Sequence, residues 1–324
     1  MPRLRRRDDE PESRPPEPPP AVLAPIPWPL ADLLQSGPTP LAARDRVGSA
    51  VTLVLPPGAA TPRAAGLPPE LLTALAAEGI ELTTAVDDDD IDAAEADVAL
   101  AAGWGAAPAV LMAAGVRARA VLPTADAPPL GDLGWADGAL PVLGPAWLGG
   151  ELPAGADAAY VPKPVHRRED LVLVHGEEPF GLLAAALLAE RRDDLTFAVT
   201  GVRADLALPF PFLGVDPGPE ALAHAFASAT VAIAPSVRGW RPAAVAMLAC
   251  GQAVVAPDDA PTRAALRDAA SYARGPLEAA DAVEAFLRDP DYALRAERAR
   301  AGFALVPGGW SDTAASLAAH LRAL

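Results

Sequence analysis

Cysteine, lysine and aromatic side chains are scarce in this chain, and positive charge is outnumbered by negative. Cys250 is the sole cysteine, so neither an internal disulfide nor a cysteine-rich metal site can form. It falls at the end of a small, apolar helical stretch, where a buried packing residue is the expected role rather than a reactive thiol. Lys163 is the sole lysine, so nearly all positive charge is arginine. That charge is also short: 26 Lys and Arg stand against 42 Asp and Glu, a formal net charge of −16. Such a balance lacks the basic footprint of nonspecific nucleic-acid binding. No run reaches the ~18 apolar residues of a spanning helix. The basic start over 1–7 runs into acids and prolines instead of an apolar stretch, which argues against an ordinary signal peptide and for a cytoplasmic location.

What is present is an alternating α/β pattern long enough for two domains, at 324 residues. Residues 1–20 are charged and proline-rich without periodicity, and a disordered tail is expected over 1–25. Arg3, Arg5, Arg6 and Arg7 offer a contact to an anionic membrane face, worth ~1 kcal/mol each near the surface. Asp8, Asp9 and Glu10 follow at once and favour a solvated tail. Residues 21–46 are apolar and proline-broken and yield no assignment. Strands are then expected over 50–55, 80–86, 96–101, 118–122 and 139–143, with helices over 69–77 and 106–114 and a short one near 145–148. A run of Ala, Gly and Pro followed by KPVHRRE, over 154–169, reads as the linker, with Lys163, His166, Arg167 and Arg168 as a solvated hinge or a face toward anionic substrate. The pattern restarts with strands over 171–174, 195–200, 212–215, 230–234, 253–256 and 271–273. Helices are expected over 180–191, 219–227, 243–250, 262–268, 277–287, 291–304 and 311–323. Short links between strand and helix call for mostly parallel sheets covered on both faces. The expected domains are 26–160 and 161–324, with a cleft between them, a favoured place for small ligands.

The stretch over 234–257, APSVRGWRPAAVAMLACGQAVVAP, carries the most information. It reads as a strand end, a loop over 236–241, a helix with Pro242 in its first turn, a Gly251 stop and another strand. Backbone N–H groups and the positive end of a helix dipole would then face the crevice, a setting for phosphate or diphosphate. Arg238 and Arg241 bring guanidinium groups that bind phosphate bidentately, or else are exposed loop arginines. Trp240 offers a face to a base or sugar, or packs on the sheet end. His175, at a strand's carboxyl end, is a phosphate ligand, a base, or a satisfied core histidine. Gly103 and Gly105 around Trp104 allow close backbone approach of an acceptor, or make a plain strand-to-helix turn. Asp87 to Asp90 with Asp92 can be a metal-binding run, though an N-cap for the next helix is the better account. The G-x-G at 103–105 lacks the third glycine of a nicotinamide site.

The segment M-L-A-C-G-Q-A-V-V-A over 247–256 resembles GT-B glycosyltransferases, in particular glycosyltransferase family 4 and its rhamnan-synthesis branch. That branch is also resembled by LPFPFLGVDPGPEALAHAFASATVAI over 208–233, by ADVALAAGWGAAPAV over 96–110, by Trp147–Leu148 and by the closing-helix motif at 309–311, so the likeness spans about residues 96–311. It implies a GT-B fold of two Rossmann-like, doubly wound domains facing across a cleft, an acceptor domain and then a nucleotide-sugar (donor) domain. It implies metal-independent transfer of a hexosyl group, with rhamnosyl as the specific candidate, from a dTDP- or UDP-sugar to a glycan or lipid-linked acceptor, without a cofactor. It places Ser236, Arg238, Gly239, Trp240 and Arg241 at the donor and Gly103, Trp104 and Gly105 at the acceptor. Asp126 and His175 are the catalytic candidates it leaves, at the cytoplasm or the inner face of the membrane. The chain departs from the pattern in that the two glutamates of the family's E-x7-E pair fall on Arg238 and Ala246. Glu177 and Glu178 stand where bases near the donor phosphates are usual, and carboxylates beside a diphosphate repel it. The Q-D-x-E of the acceptor cleft becomes Pro-Thr-Ala-Asp over 123–126. The alternative is therefore a catalytically inactive relative acting as a structural or regulatory partner in glycan assembly. A two-domain solute-binding protein would need export.

Overall fold

Short β-branched and aliphatic runs build two parallel sheets in a computed structural model of the chain. It describes residues 50–87, 90–91, 96–113, 115–124, 140–153, 155–161, 168–203, 205–215, 218–288 and 309–324. All of them belong to one unit, Arg44–Leu324. The expected tail over 1–25, Asp126, the Lys163–Arg167 part of the basic cluster and the helix over 291–304 lie outside the described residues.

The first sheet contains β1 (Ala50–Val54), β2 (Glu81–Ala85), β3 (Val98–Ala102) and β4 (Ala118–Leu122), in the order β2-β1-β3-β4, all parallel. β3 is VALAA and is buried at every position, the unbroken apolar run of a strand covered on both faces. One face carries α1 (Pro69–Ala77) through Leu71 and Leu75, and the other carries α2 (Ala107–Met112) through Ala107 and Val110. The chain's last helix, α8 (Trp310–Ala323), also lies on the α1 side, where Ala314, Leu317, Ala318 and Leu321 form its buried stripe.

The second sheet contains β5 (Arg168–His175), β6 (Thr196–Thr200), β7 (Phe212–Gly214), β8 (Ala229–Ile233), β9 (Val254–Pro257) and β10 (Ala270–Ala273). Its order is β10-β9-β8-β5-β6-β7, again parallel throughout. The chain winds outward from β5 through β7, then returns to lay β8 on the other side of β5. This reversal opens a crevice at the carboxyl ends of β5 and β8, the usual ligand position in a doubly wound sheet. Helices α3 (Pro179–Arg191) and α7 (Pro276–Arg288) cover one face. The other is covered by α4 (Pro219–Ser228), α5 (Ala243–Ala249) and α6 (Ala260–Leu266).

Three expectations change. No strand forms over the described part of 139–143; Val142 makes only a single bridge to Val121, since Pro141 and Pro145 cannot donate to a ladder. Arg168 and Glu169 belong to β5 rather than to a linker, and Arg168 pairs with Asp170 at 2.7 Å. Arg168 and His175 occupy opposite ends of the strand, roughly 23 Å apart, so this arginine does not share the crevice with the histidine. Pro242 is the N-cap of α5, one residue before the first turn.

Candidate functional site

A pocket of about 250 Å³ opens at the reversal point of the second sheet, lined among others by Tyr160, His175, Phe226, Arg241, Ala246 and Trp310. Each wall comes from a different element. β5 delivers His175, α4 delivers Phe226, α5 delivers Ala246 and α8 delivers Trp310, while Tyr160 lies in the segment joining the two sheets.

His175 sits edge-on to Phe226, with ring centroids 6.4 Å apart. A Cβ at Gly201 would stand 3.0 Å from the His175 Cε1, so that glycine fixes how far the ring can move. Burial lowers the imidazole pKa, so the ring is neutral at neutral pH. Its Nδ1 is buried without a hydrogen-bond partner among the described residues, as is the hydroxyl of Thr200, the residue opposite it on β6. Tyr160 stacks on Phe226 at 5.8 Å. Its phenol is pushed up to about 12 by burial, then by the charge of Asp157 and by Cys250.

Arg241 is held from two sides. Its guanidinium pairs with Glu70 of α1 and lies 3.6 Å from Asp157, 5.9 Å from the Trp310 ring centroid. Burial and the nearby Arg63 lower its pKa. Asp157 also accepts from the Trp310 indole N–H at 2.9 Å. Gly155 makes that arrangement possible: a Cβ there would fall 2.5 Å from the Trp310 ring.

The loop leading to Arg241 is tied down residue by residue. The Ser236 N–H donates to Glu178 Oε2 at 3.1 Å, and the Val237 N–H to Thr262 Oγ1 at 3.0 Å. The Gly239 carbonyl accepts from the Trp147 indole at 2.8 Å, and the Trp240 indole donates to the Pro123 carbonyl at 2.7 Å. Arg238 is exposed and reaches Glu178 at 3.8 Å. Glu177 accepts from the Arg203 backbone at 2.5 Å and side chain at 3.2 Å. The two acids standing where bases were expected are thus each matched by an arginine.

The residues singled out in the sequence therefore divide. His175 and Arg241 line one pocket. Ser236, Arg238 and Gly239 lie on the loop that carries Arg241 in, and Arg238 faces Glu178 rather than the pocket. Trp240 is 3 % exposed and packs with the core of the first sheet. A stacking face for a ligand does not go with that burial, and the cause is long-range: its partner Pro123 is 117 residues away. Gly103, Trp104 and Gly105 form the turn after β3. The Gly103 N–H bonds to the Leu122 carbonyl at 2.7 Å, Trp104 starts a 3-10 turn packed against the α2 face, and none of the three lines the pocket. Of the aspartate run, Asp88, Asp89 and Asp92 lie outside the described residues, while Asp87 accepts from the Asp90 N–H at 2.9 Å, a local cap; no group of metal ligands occurs among the described residues. Asp157 and Tyr160 escaped the sequence, although an acid and a tyrosine in an Ala, Gly and Pro run were the available signal. No helix among the described residues is long and apolar enough to cross a membrane.

No family model matches the chain, and no curated protein matches it. Solved structures do. A sucrose-phosphate synthase from Thermosynechococcus elongatus aligns over 85 % of this chain and 98 % of its own, at 14 % identity and a TM-score of 0.65. Anabaena HepE, solved in complex with UDP-glucose, aligns over 85 % and 100 % at 15 % identity and 0.56. A glycosyltransferase from Rickettsia africae aligns over 86 % and 99 % at 9 % identity and 0.55. The two parallel sheets and their helices have the GT-B fold of glycosyltransferase structures.

Proposed function

We propose that the protein transfers a hexosyl group, with rhamnosyl as the specific candidate, from a dTDP- or UDP-sugar to a glycan or lipid-linked acceptor. The observation that carries this is the meeting of His175 and Arg241 on one pocket at the reversal point of the second sheet. In this reaction an acceptor hydroxyl attacks the anomeric carbon, the bond from that carbon to the diphosphate breaks, and charge builds on the departing phosphate. Arg241, preset by Asp157, Glu70 and Trp310, supplies a fixed positive group for that charge. Its partners hold the side chain before the ligand arrives, which limits the reorganisation needed at the moment of reaction. His175, neutral by burial, hydrogen-bonds a phosphate oxygen or takes the acceptor proton. Asp126 is the carboxylate proposed on the acceptor side, and Gly103, Trp104 and Gly105 the acceptor-binding turn. Contact of the arginine-rich start with an anionic membrane face would bring a lipid-linked acceptor near.

A second reading, a non-catalytic relative working as a partner in glycan assembly, is favoured by a specific observation. Glu178 already takes the Ser236 amide and faces Arg238, and Ala246 brings only a methyl group into the pocket. Titration calorimetry with UDP- and dTDP-hexoses, paired with an assay for released nucleotide, separates the two. Binding with release supports the transferase. Absence of binding by every nucleotide sugar favours the partner role.

A further inference from the structure

Glu178 stands at the N-cap of the thirteen-residue α3, yet its carboxylate makes no cap bond to its own helix. It reaches across to the β8–α5 loop instead. One oxygen accepts the Ser236 N–H at 3.1 Å, and the other lies 3.8 Å from Arg238 Nε. An amide and a guanidinium converging on two oxygens of one anion is also how a protein holds the edge of a phosphate. Glu178 lies three residues beyond His175, and Arg238 three residues before Arg241, and both of those outer residues line the pocket.

We propose that Glu178 is a built-in counter-anion on the β8–α5 loop that leads into the pocket, competing with ligand phosphate for the Ser236 amide and Arg238. The inference rests on the nucleotide-sugar reading and adds to it. A diphosphate arriving at this edge must displace the carboxylate from both donors and then lie beside it, and like charges side by side repel. A nucleoside, which brings no phosphate, meets no such competition. Wild type accordingly takes a diphosphate fully at this edge only when the Glu178 side chain swings out.

Calorimetric titration of the full chain with UDP, uridine and inorganic pyrophosphate tests this in wild type, Glu178→Gln and Glu178→Ala. The glutamine variant keeps an acceptor for the Ser236 N–H and so preserves the loop contact if alanine disturbs folding, which thermal unfolding of each variant reports. Both variants should gain about tenfold or more in UDP affinity while uridine changes less than about threefold. Pyrophosphate should bind Glu178→Ala more tightly than wild type. Unchanged UDP affinity in both variants, with uridine still bound, overturns the role of Glu178 and leaves the nucleotide reading standing. A gain in pyrophosphate binding with no uridine binding in any variant keeps the counter-anion and removes the nucleotide reading. Loss of all three ligands in all three proteins overturns both.

Discussion

Replacing Trp240 by phenylalanine asks whether this residue serves the fold or a ligand. The indole is 3 % exposed, sits in the core of the first sheet and donates its N–H to the Pro123 carbonyl at 2.7 Å. Phenylalanine keeps an aromatic face but has no donor. The orphaned carbonyl then costs about 1–3 kcal/mol. The smaller ring leaves a void that adds about 1 kcal/mol, well below the cost of full truncation to alanine. A total near 3 kcal/mol lowers the unfolding midpoint by roughly 6–12 °C in a chain of this size. Circular dichroism on heating reads the midpoint, and nucleotide titration in parallel reads the site. The account expects a large stability loss with ligand affinity nearly kept in the folded protein. A midpoint within about 1 °C of wild type, with nucleotide binding weakened tenfold, would refute the core placement and return Trp240 to the ligand.

Further outcomes follow from the same geometry. Gly155→Ala puts a methyl group 2.5 Å from the Trp310 ring, so it should destabilise by about 1–3 kcal/mol and change tryptophan fluorescence; an unaltered spectrum and midpoint would mean the segment yields freely. Arg241→Met should weaken nucleotide binding about tenfold or more, while its half-exposed ion pairs add less than ~1 kcal/mol to stability; equal binding by both proteins would count against it. His175 has a folded pKa below its ordinary 6.5, so below that pH the unfolded chain binds more protons than the folded one. Stability is therefore undiminished above about pH 6.5 and falls as pH drops toward the folded value. Urea midpoints across this window should fall with pH in wild type and fall less in His175→Gln, and parallel slopes would contradict the burial effect.

The strand and helix pattern was legible because each element carries its own signal. The helix over 69–77 begins at a proline, buries Leu71 and Leu75 four apart and stops before Gly79. β3 and β8 read as continuous apolar runs because both of their faces are covered. What the sequence hid are contacts made across long separations. Trp240 looks like a loop aromatic until Pro123 is brought beside it. The acids at 177 and 178 were visible as a departure from the resemblance, but their capture of Arg203 and Ser236 depends on three strand ends converging. α8 is a plain amphipathic helix by pattern, and only the fold returns it to the first sheet, where Trp310 closes the pocket beside Arg241. Asp157 is similar: its importance comes from meeting Trp310 and Arg241, not from any motif around it.

Ala246 lines the pocket on α5, and filling that position acts on the cavity without touching Arg241 or His175. The most direct measurement is calorimetric titration of UDP- and dTDP-hexoses into wild type and Ala246→Phe, with unfolding midpoints taken on both. The account predicts that wild type binds at least one of them and that the phenylalanine variant, still folded, binds it about a hundredfold more weakly. Equal affinity in the two proteins would place the ligand elsewhere, and no binding by wild type would contradict the donor site itself.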